Sequence, residues 1–445
     1  MEYKLNQILK NQKTTEFSYD ALGVIRKENY SIFVFGMLEN EEADIELIKV
    51  NSKFAFAKIV NLIKKNPKRI NDLNLKAVSN NALSILKYED QLQFKQNIVS
   101  YLFKRQLNYE NINSIIPSEN QWNYRNKVVL FVENKNNKYK LGTYEKMSHT
   151  LIEEENYNLA VYPINKVVNF LSKNINFFNL YSNKIKRIMI RATKENNQVQ
   201  VVFVTENKQP FPLKFLSLLE NEISEIVSII HNIDDKKNKN NLLGNFYKVI
   251  FGKEYLIDTL GDFKFKLNWN SFFQVNAKQA ITLYNAMLKA INITKEDVVL
   301  DAYCGIGTIT TFLAQKAKKV IGVEIVKEAI DNAKESQEIN AIENIEFYAN
   351  DIDKQMKILN QQNIKFDVIS VDPPRSGLTS EFMDLIIKQA PKTISYISCN
   401  VHTLVRDLVY LSKYYKIDFV QPIDMFPQTP HIEIVVILSE INVAS

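Results

Sequence analysis

The sequence predicts an α/β catalytic domain with a doubly wound, mostly parallel sheet, preceded by a small N-terminal β-barrel and a central α+β domain. Three observations carry this expectation. From Ala277 onward, short apolar strands alternate with helical patterns, as in a sheet covered on both faces. Residues 1–65 break into short strand-like runs near polar turns, which suits a small barrel. Residues 122–205 are strand-rich again, with helical segments between the strands. A chain of 445 residues is too long for one ordinary core, so the parts divide as 1–65, 66–265 and 266–445.

Taken in order, Tyr30–Phe35, Ala43–Ile48 and Phe54–Val60 are the strands of the first part. Residues 81–107 read as a helix, with Leu83, Leu86, Asp90, Phe94 and Ile98 marking its face. The central part offers strands at Asn126–Glu133, Tyr139–Thr143, Ile188–Thr193 and Val199–Thr205, and a helix at Ile164–Leu171. Asp234 to Asn241 is a polar run that reads as an exposed loop. In the third part a helix pattern spans Ala277–Ile291, followed by a buried strand at Val298–Asp301 and a helix to about Ala317. A strand at Lys319–Glu324, a helix at Lys327–Asn340 and strands at Ile345–Tyr348 and Phe366–Asp372 complete the alternation.

Composition narrows the function classes. With 46% hydrophobic and 24% charged residues, the chain reads as soluble and globular. No apolar run is long enough to cross a bilayer, and the N-terminus lacks the apolar stretch of a signal peptide. Two cysteines cannot build a disulfide scaffold, and four histidines leave little room for metal chemistry. A monomer in a reducing cytoplasm, without a metal site, is expected. The net charge of +6 permits attraction to phosphate without requiring it. Basic residues gather at Lys58, Lys64, Lys65, Lys68 and Arg69, at Lys184, Lys186 and Arg187, and around Lys104–Arg105 and Lys138–Lys140. Arg125 and Lys127 add to them from the central part. An interrupted basic surface drawn from several segments suits a folded nucleic acid.

The run Asp301-Ala302-Tyr303-Cys304-Gly305-Ile306-Gly307 places a G-x-G turn between a strand and a helix. Its glycines, Gly305 and Gly307, let the backbone approach a ligand, although a plain tight turn has the same sequence. The surroundings favour a nucleoside. Glu324 ends the next strand, where a carboxylate accepts ribose hydroxyls, and Asp351 follows the third strand, facing an adenine edge. A dinucleotide site needs a third glycine, and Thr310 stands there instead. D-x-x-x-G-x-G with a downstream acid therefore reads as a site for S-adenosylmethionine. Asp372-Pro373-Pro374-Arg375 lies at another strand end, where the prolines stiffen the exit. Cys399 follows the apolar run Thr393–Ile397 and leads into polar residues, a nucleophile's place, although a buried cysteine can also be a small hydrophobe. Cys304, inside the turn, reads as core. Glu433 opens the strand pattern Ile432–Leu438 and could equally be a surface acid.

With these residues placed, the chain resembles the S-adenosylmethionine-dependent RNA uracil-C5 methyltransferases over nearly its full length. The carrying motifs are the barrel-like residues 1–65, similar to the TRAM domain, then WNYRNK (122–127), GTYEKMSH (142–149) and SFFQVN (271–276). DAYCGIGT, VDPPRSG, ISCN with TLVRDL, and MFPQTPHIE follow in the family's order. The resemblance implies that Gln274, Tyr303, Glu324 and Asp372 contact the methyl donor, that Cys399 is the nucleophile and that Glu433 is the base. Asp372 could also hold uracil's polar edge. The TRAM-like segment points to 23S ribosomal RNA with an unpaired or flipped uridine. Transfer RNA, or a non-catalytic RNA chaperone with a vestigial fold, are the alternatives. Two departures stand out. Relatives with an iron–sulfur cluster carry cysteines just before the segment equivalent to Tyr88–Leu92, whereas here Ala77–Ser84 offers no thiolate. Val401 stands where the family usually has proline, and is expected to hold the same extended backbone.

Overall fold

Alternate residues of the N-terminal segment point into one apolar core. In this computed structural model β1 (Ile8–Lys13), β2 (Glu16–Phe17), β3 (Leu22–Lys27), β4 (Tyr30–Phe35), β5 (Glu42–Val50) and β6 (Phe54–Lys64) form a sheet in the order β1-β5-β6-β4-β3-β2. Ile32 and Val34, Ile45 and Leu47, and Ala55, Ala57 and Ile59 are its inward set, with the period of two of a half-buried strand. The two edge strands are consecutive in the chain, separated only by Thr14 and Thr15. Their amides donate to Glu41 O and Val24 O, at 3.0 and 2.9 Å. The sheet therefore curls until its edges meet, giving a barrel-like form.

The structure describes residues 3–70, 81–136, 138–144, 150–153, 155–178, 180–234 and 243–440. Ala77–Asn80, Glu145–His149 and Asp235–Asn241, to which the sequence assigned a cluster-free stretch, part of a motif and a loop, lie outside the described residues. Asp234, expected on that exposed loop, is instead buried and paired with Lys186 and Arg187. Among the described residues no helix is long and apolar enough to cross a membrane.

The expected helix begins later than the sequence suggested. α1 runs Tyr88–Leu107 and stops at Asn108, whose left-handed φ of 50° caps it. Its buried stripe is Gln91, Lys95, Val99, Leu102 and Phe103. Leu83 and Leu86 are buried too, but ahead of the helix, Leu83 in a turn and Leu86 in an isolated bridge to Arg69, clustered with Ala21 and Leu38. Polar Gln91 and Lys95 disguised the true face, because their partners lie far away in the chain.

A second sheet joins β7 (Lys127–Lys135), β8 (Lys138–Tyr144), β9 (Leu151–Glu153), β10 (Ile185–Ala192), β11 (Val199–Thr205), β12 (Ile226–Ile233) and β13 (Phe246–Gly252). Their order is β13-β12-β11-β10-β7-β8-β9. α2 (Tyr162–Asn174) and α3 (Leu213–Glu222) share its core through Val167, Leu171, Phe215 and Leu219. A ribbon of β14 (Tyr255–Leu260) and β15 (Phe263–Asn268) follows.

The third sheet is built as the alternation predicted. Its elements are α4 (Ala277–Ala290), β16 (Val298–Ala302), α5 (Thr308–Ala314), β17 (Lys319–Glu324), α6 (Lys327–Ile339), β18 (Ile345–Ala349) and α7 (Ile352–Gln361). There follow β19 (Val368–Val371), α8 (Ser380–Gln389), β20 (Thr393–Ser398), α9 (Val401–Leu411), β21 (Tyr415–Ile423) and β22 (Glu433–Glu440). The order is β18-β17-β16-β19-β20-β22-β21, with the first five strands parallel and β22 antiparallel to both neighbours. Apolar clusters cover both faces, which is why these strands read as nearly continuous apolar runs. The chain order reverses between β16 and β19, the place where open sheets of this kind bind ligands.

Candidate active site

Every parallel strand of the third sheet delivers one candidate residue at its carboxyl end. β16 leads into Tyr303, β17 ends on Glu324, and β18 is followed by Asp351, which caps α7 by accepting from Lys354 N. β19 leads into Asp372 and β20 into Cys399. The turn after β16 is left-handed at Tyr303, Gly305 and Gly307, with φ of 63°, 56° and 79°. The two glycines differ in purpose. A Cβ on Gly307 would stand 2.8 Å from the Phe347 ring, so packing demands glycine there. A Cβ on Gly305 would meet nothing within 4 Å, so that face of the turn is open.

Glu324 braces this turn. Its Oε2 accepts from Gly305 N at 3.2 Å and its Oε1 from Val326 N at 2.9 Å. Asp301 lies beneath, fully buried, with Oδ2 accepting from the Thr310 hydroxyl at 2.5 Å and Oδ1 without a partner. Thr310, at the missing third glycine, thus holds the turn's founding carboxylate. Burial, then the charges of Asp372 and Glu324, push Asp301 up to about 7 against the Thr310 bond. Gln274 is buried at the edge, its backbone carbonyl accepting from Asn126 Nδ2 at 3.1 Å. Cys304 is buried core, its thiol pushed up by burial. An open glycine turn ringed by Glu324, Asp351 and Asp372 offers the acceptors and the backbone access that an adenosyl group and a sulfonium need.

Strand register brings the second group together. Ser398 pairs with Ile434 and Ile423 with Glu433, so Glu433 enters β22 beside the exit of β20, where Cys399 stands. Glu433 is buried, whereas Cys399 keeps some exposure. The Asp372–Arg375 turn is tied to the start of α9. Asn400 Nδ2 and Thr403 Oγ1 both donate to Arg375 O, at 3.0 and 3.2 Å. Asn400 also caps α9 by accepting from His402 N.

The electrostatics follow from this crowding. Burial, then the charges of Glu433 and Asp372, push the Cys399 thiol up to about 11, and Arg375 opposes them by charge and hydrogen bond. Burial raises Asp372, and burial with the Asp372 charge drives Glu433 well above the carboxylate range. Two carboxyls this close do not both ionise, so the pair retains a proton near neutrality. Cys399, Arg375, His402 and His431 line a cavity of about 380 Å³.

Val401 is the first helical residue of α9, not extended backbone as expected. Proline is favoured at that position and valine is tolerated, since the amide there has no helical partner.

The expected basic surface is largely spoken for. Arg69 is sealed in an ion pair with Glu41 at 2.6 Å, with 1% of its side chain exposed, so it presents nothing to a phosphate. Lys58 pairs with Glu46 at 3.2 Å and Lys68 with Asp90 at 2.6 Å. Lys64 and Lys65 lie exposed at the end of β6. Lys104 pairs with Glu110, and Lys140 with Glu153. Arg125 and Lys127 do come together, lining a cavity of about 400 Å³ with the exposed Phe272. Burial and the Arg191 charge push Lys127 down to about 7. Sequence reasoning gave no role to Asn400 or to Lys95, which also lines the Cys399 cavity. The signal for Asn400, a cap after the cysteine, is local, whereas that for Lys95 was hidden because its partner Asp424 lies far along the chain.

A seven-stranded sheet with this strand order, an open glycine turn and carboxylates at successive strand ends defines an S-adenosylmethionine-dependent methyltransferase. The chain belongs to the tRNA (uracil-5-)-methyltransferase family, whose model matches residues 87–441. It is similar to uncharacterized RNA methyltransferases of Clostridium acetobutylicum, 38% identical over 96% of both chains, and of Oceanobacillus iheyensis, 37% identical over 94% of both. Among solved structures it is similar to the Pyrococcus abyssi tRNA (uracil-54, C5)-methyltransferase in complex with S-adenosyl-L-homocysteine. That likeness has a TM-score of 0.75 at 25% identity and covers 96% of this chain and 100% of the other. The protein is accordingly an S-adenosylmethionine-dependent RNA (uracil-C5)-methyltransferase.

Proposed function

We propose that the protein methylates C5 of a specific uridine in 23S ribosomal RNA through a covalent bond between Cys399 and C6, giving 5-methyluridine. The supporting observation is the convergence of Cys399, Glu433, Asp372 and Arg375 at adjoining strand ends. Uracil C5 is a weak nucleophile. Addition of the Cys399 sulfur to C6 moves electron density to C5 and divides one difficult step into easier ones. Gln274, Tyr303, Glu324, Asp351 and Asp372, around the turn of Asp301, Gly305 and Gly307, would hold S-adenosylmethionine, which would supply the electrophilic methyl group to C5 and leave as S-adenosylhomocysteine. Cys399 adds as its thiolate, Glu433 then removes the C5 proton, and elimination across C5–C6 expels Cys399 again as the thiolate. Arg375 opposes the negative charge around the sulfur, and the Asp372 carboxyl is placed to hold uracil's polar edge. The target uridine reaches Cys399 unpaired or flipped out of its stack. Arg125 and Lys127, with Lys64 and Lys65, are the basic residues assigned to the RNA backbone. With only two cysteines, Cys304 and Cys399, a cysteine-ligated cluster before Tyr88 has no part in this function.

A second reading, the same chemistry on transfer RNA, has a specific observation in its favour. The likeness to the Pyrococcus abyssi enzyme, named for uracil-54 of tRNA, covers 96% of this chain, which leaves too little uncovered to exclude the whole N-terminal sheet. That sheet therefore does not separate the two substrates, contrary to its weight in the sequence reading. The deciding experiment incubates the purified protein with labelled methyl donor and total unmodified RNA, then maps each labelled uridine. Label confined to large-subunit RNA supports the first reading, and label confined to transfer RNA replaces it with the second. No labelled uridine overturns both.

A further inference from the structure

Two cavities meet at three shared side chains. The cavity that holds Cys399 is walled on one side by Tyr19 and Asp20, from the loop between β2 and β3. A second cavity, of about 480 Å³, runs between the N-terminal sheet and α1, past Phe17, Asn66, Gln93, Phe94, Asn97 and Tyr101. Tyr19, Ile98 and His402 line both. The Tyr19 ring sits edge-on against His402 with centroids 4.5 Å apart, yet the residue remains 53% exposed. His402 Nε2 is sealed without a hydrogen-bond partner.

The chemistry of the second groove suits bases better than phosphates. Lys68 on its wall is neutralised by Asp90, and Glu39 adds an acid. What remains is aromatic rings, side-chain amides and aliphatic side chains such as Leu38 and Ile98. A phosphate backbone gains little from such walls, whereas a nucleobase gains stacking and edge hydrogen bonds. RNA that delivers a uridine to Cys399 is a continuous strand, so the adjacent nucleotide must lie at the mouth of the same cavity. Tyr19 stands at that mouth.

We propose that the groove between the N-terminal sheet and α1 holds the unpaired nucleotides adjoining the target uridine, with Tyr19, seated on His402, as the stacking platform. This rests on the reading of Cys399 as the uridine site. The residues are a binding subsite and not part of the chemistry.

The test is a cycle across the interface. The probe is a transcript of the mapped target with 5-fluorouridine at the methylated position, and with an abasic sugar installed on one side or the other. Parent protein loses about ten-fold in affinity when the base stacked on Tyr19 is removed, the size of one base–aromatic contact. Tyr19→Ala loses a similar factor on the intact RNA and then no more on that abasic RNA, while Tyr19→Phe restores parental behaviour. The logarithmic salt slope stays parental, since no phosphate contact is lost. Parental affinity in Tyr19→Ala, additive losses, or a reduced salt slope overturn the platform. Each of those outcomes is compatible with normal capture of the fluorouridine by Cys399. Failure of the parent to form that adduct overturns the underlying reading, and the subsite with it.

Discussion

Lys95 and Asp424 form an ion pair at 2.5 Å with neither side chain exposed to solvent. Tyr88 donates to the second Asp424 oxygen at 2.7 Å, and Lys95 also donates to Phe426 O at 3.1 Å. The pair fastens α1 to the loop between β21 and β22, which runs directly into Glu433. Successive carbonyls of that loop accept from different parts of the chain. Asp424 O takes Gln279 Nε2, Met425 O takes Asn276 Nδ2, Pro427 O takes the Tyr124 hydroxyl and Gln428 O takes Leu83 N, at 2.9 to 3.0 Å. The loop is thereby fixed before substrate arrives, which suits a segment that aims a base.

Breaking this pair from one side strands a charge in the core. Lys95→Met is expected to lose about 3–5 kcal/mol of stability, because the Asp424 carboxylate keeps its burial and loses its cation. Lys95→Met with Asp424→Asn removes both charges and should recover most of that loss. Urea unfolding of the parent and the two variants checks the prediction. A single variant with the parental midpoint would mean that the ion pair is not formed in solution.

Asp301 makes stability depend on pH. Its folded pKa of about 7, raised mainly by burial, lies above the unfolded value of about 3.9. The folded chain therefore holds that proton more tightly. The resulting stability is complete below the unfolded pKa and is lost as pH rises through the folded one. Asp301→Asn keeps an acceptor for Thr310 and abolishes the loss. The variant should be more stable than the parent at pH 8, by at most about 1.4 kcal/mol per unit of pKa difference. The gap should close toward pH 4. A constant difference across that range would place the titration elsewhere.

Glu324 serves the turn as well as the proposed ribose. Since both of its oxygens already accept backbone amides, Glu324→Gln exchanges one of these acceptors for a donor. S-adenosylmethionine affinity should fall by about 1–3 kcal/mol in folded variant protein, as read by calorimetric titration. Unchanged affinity would remove Glu324 from the ligand's surroundings.

What could be read in the sequence had a local cause. The parallel strands announced themselves because burial on both faces leaves apolar runs, and Gly305 and Gly307 because a left-handed turn needs them. The neighbourhood of Cys399 and Glu433 was not legible from spacing, since it depends on β22 lying antiparallel between β20 and β21. Only the family resemblance joined those two residues beforehand. Arg69 misled for the opposite reason. A basic cluster looks solvated in sequence, and its partner Glu41 lies on a different turn of the barrel-like sheet. Lys95 was passed over for a related reason, as a charge on a core stripe whose counter-ion is Asp424.

The thiol of Cys399 offers a test without RNA. Burial and the two carboxyls hold its pKa at about 11. Glu433→Gln deletes one negative neighbour, so the thiolate should appear at lower pH. Alkylation by iodoacetamide, followed by peptide mass against pH, should show an earlier midpoint for Cys399 in the variant. Cys304, buried in the turn, should stay unmodified in both proteins. Coincident midpoints would put Glu433 too far from the sulfur to sense it.

If Cys399 adds to C6 and Glu433 removes the C5 proton, their variants must stop the reaction at different points. Cys399→Ala has no thiolate to add, so it should bind RNA and cofactor yet give neither methylated uridine nor a covalent complex. Glu433→Gln keeps the nucleophile and loses the base. It should accumulate a protein–RNA adduct that already carries the methyl group and survives denaturing electrophoresis. RNA with 5-fluorouridine at the target should trap the parent in the same state, because fluorine cannot leave as a proton. The mass of the crosslinked peptide, after nuclease and protease digestion, identifies the attached residue. Attachment through Cys304, or methylation by Cys399→Ala, would end the assignment of the nucleophile. An adduct on Cys399 that Glu433→Gln resolves at the parental rate would keep the thiol and move the base to Asp372, the carboxyl whose charge acts on both residues.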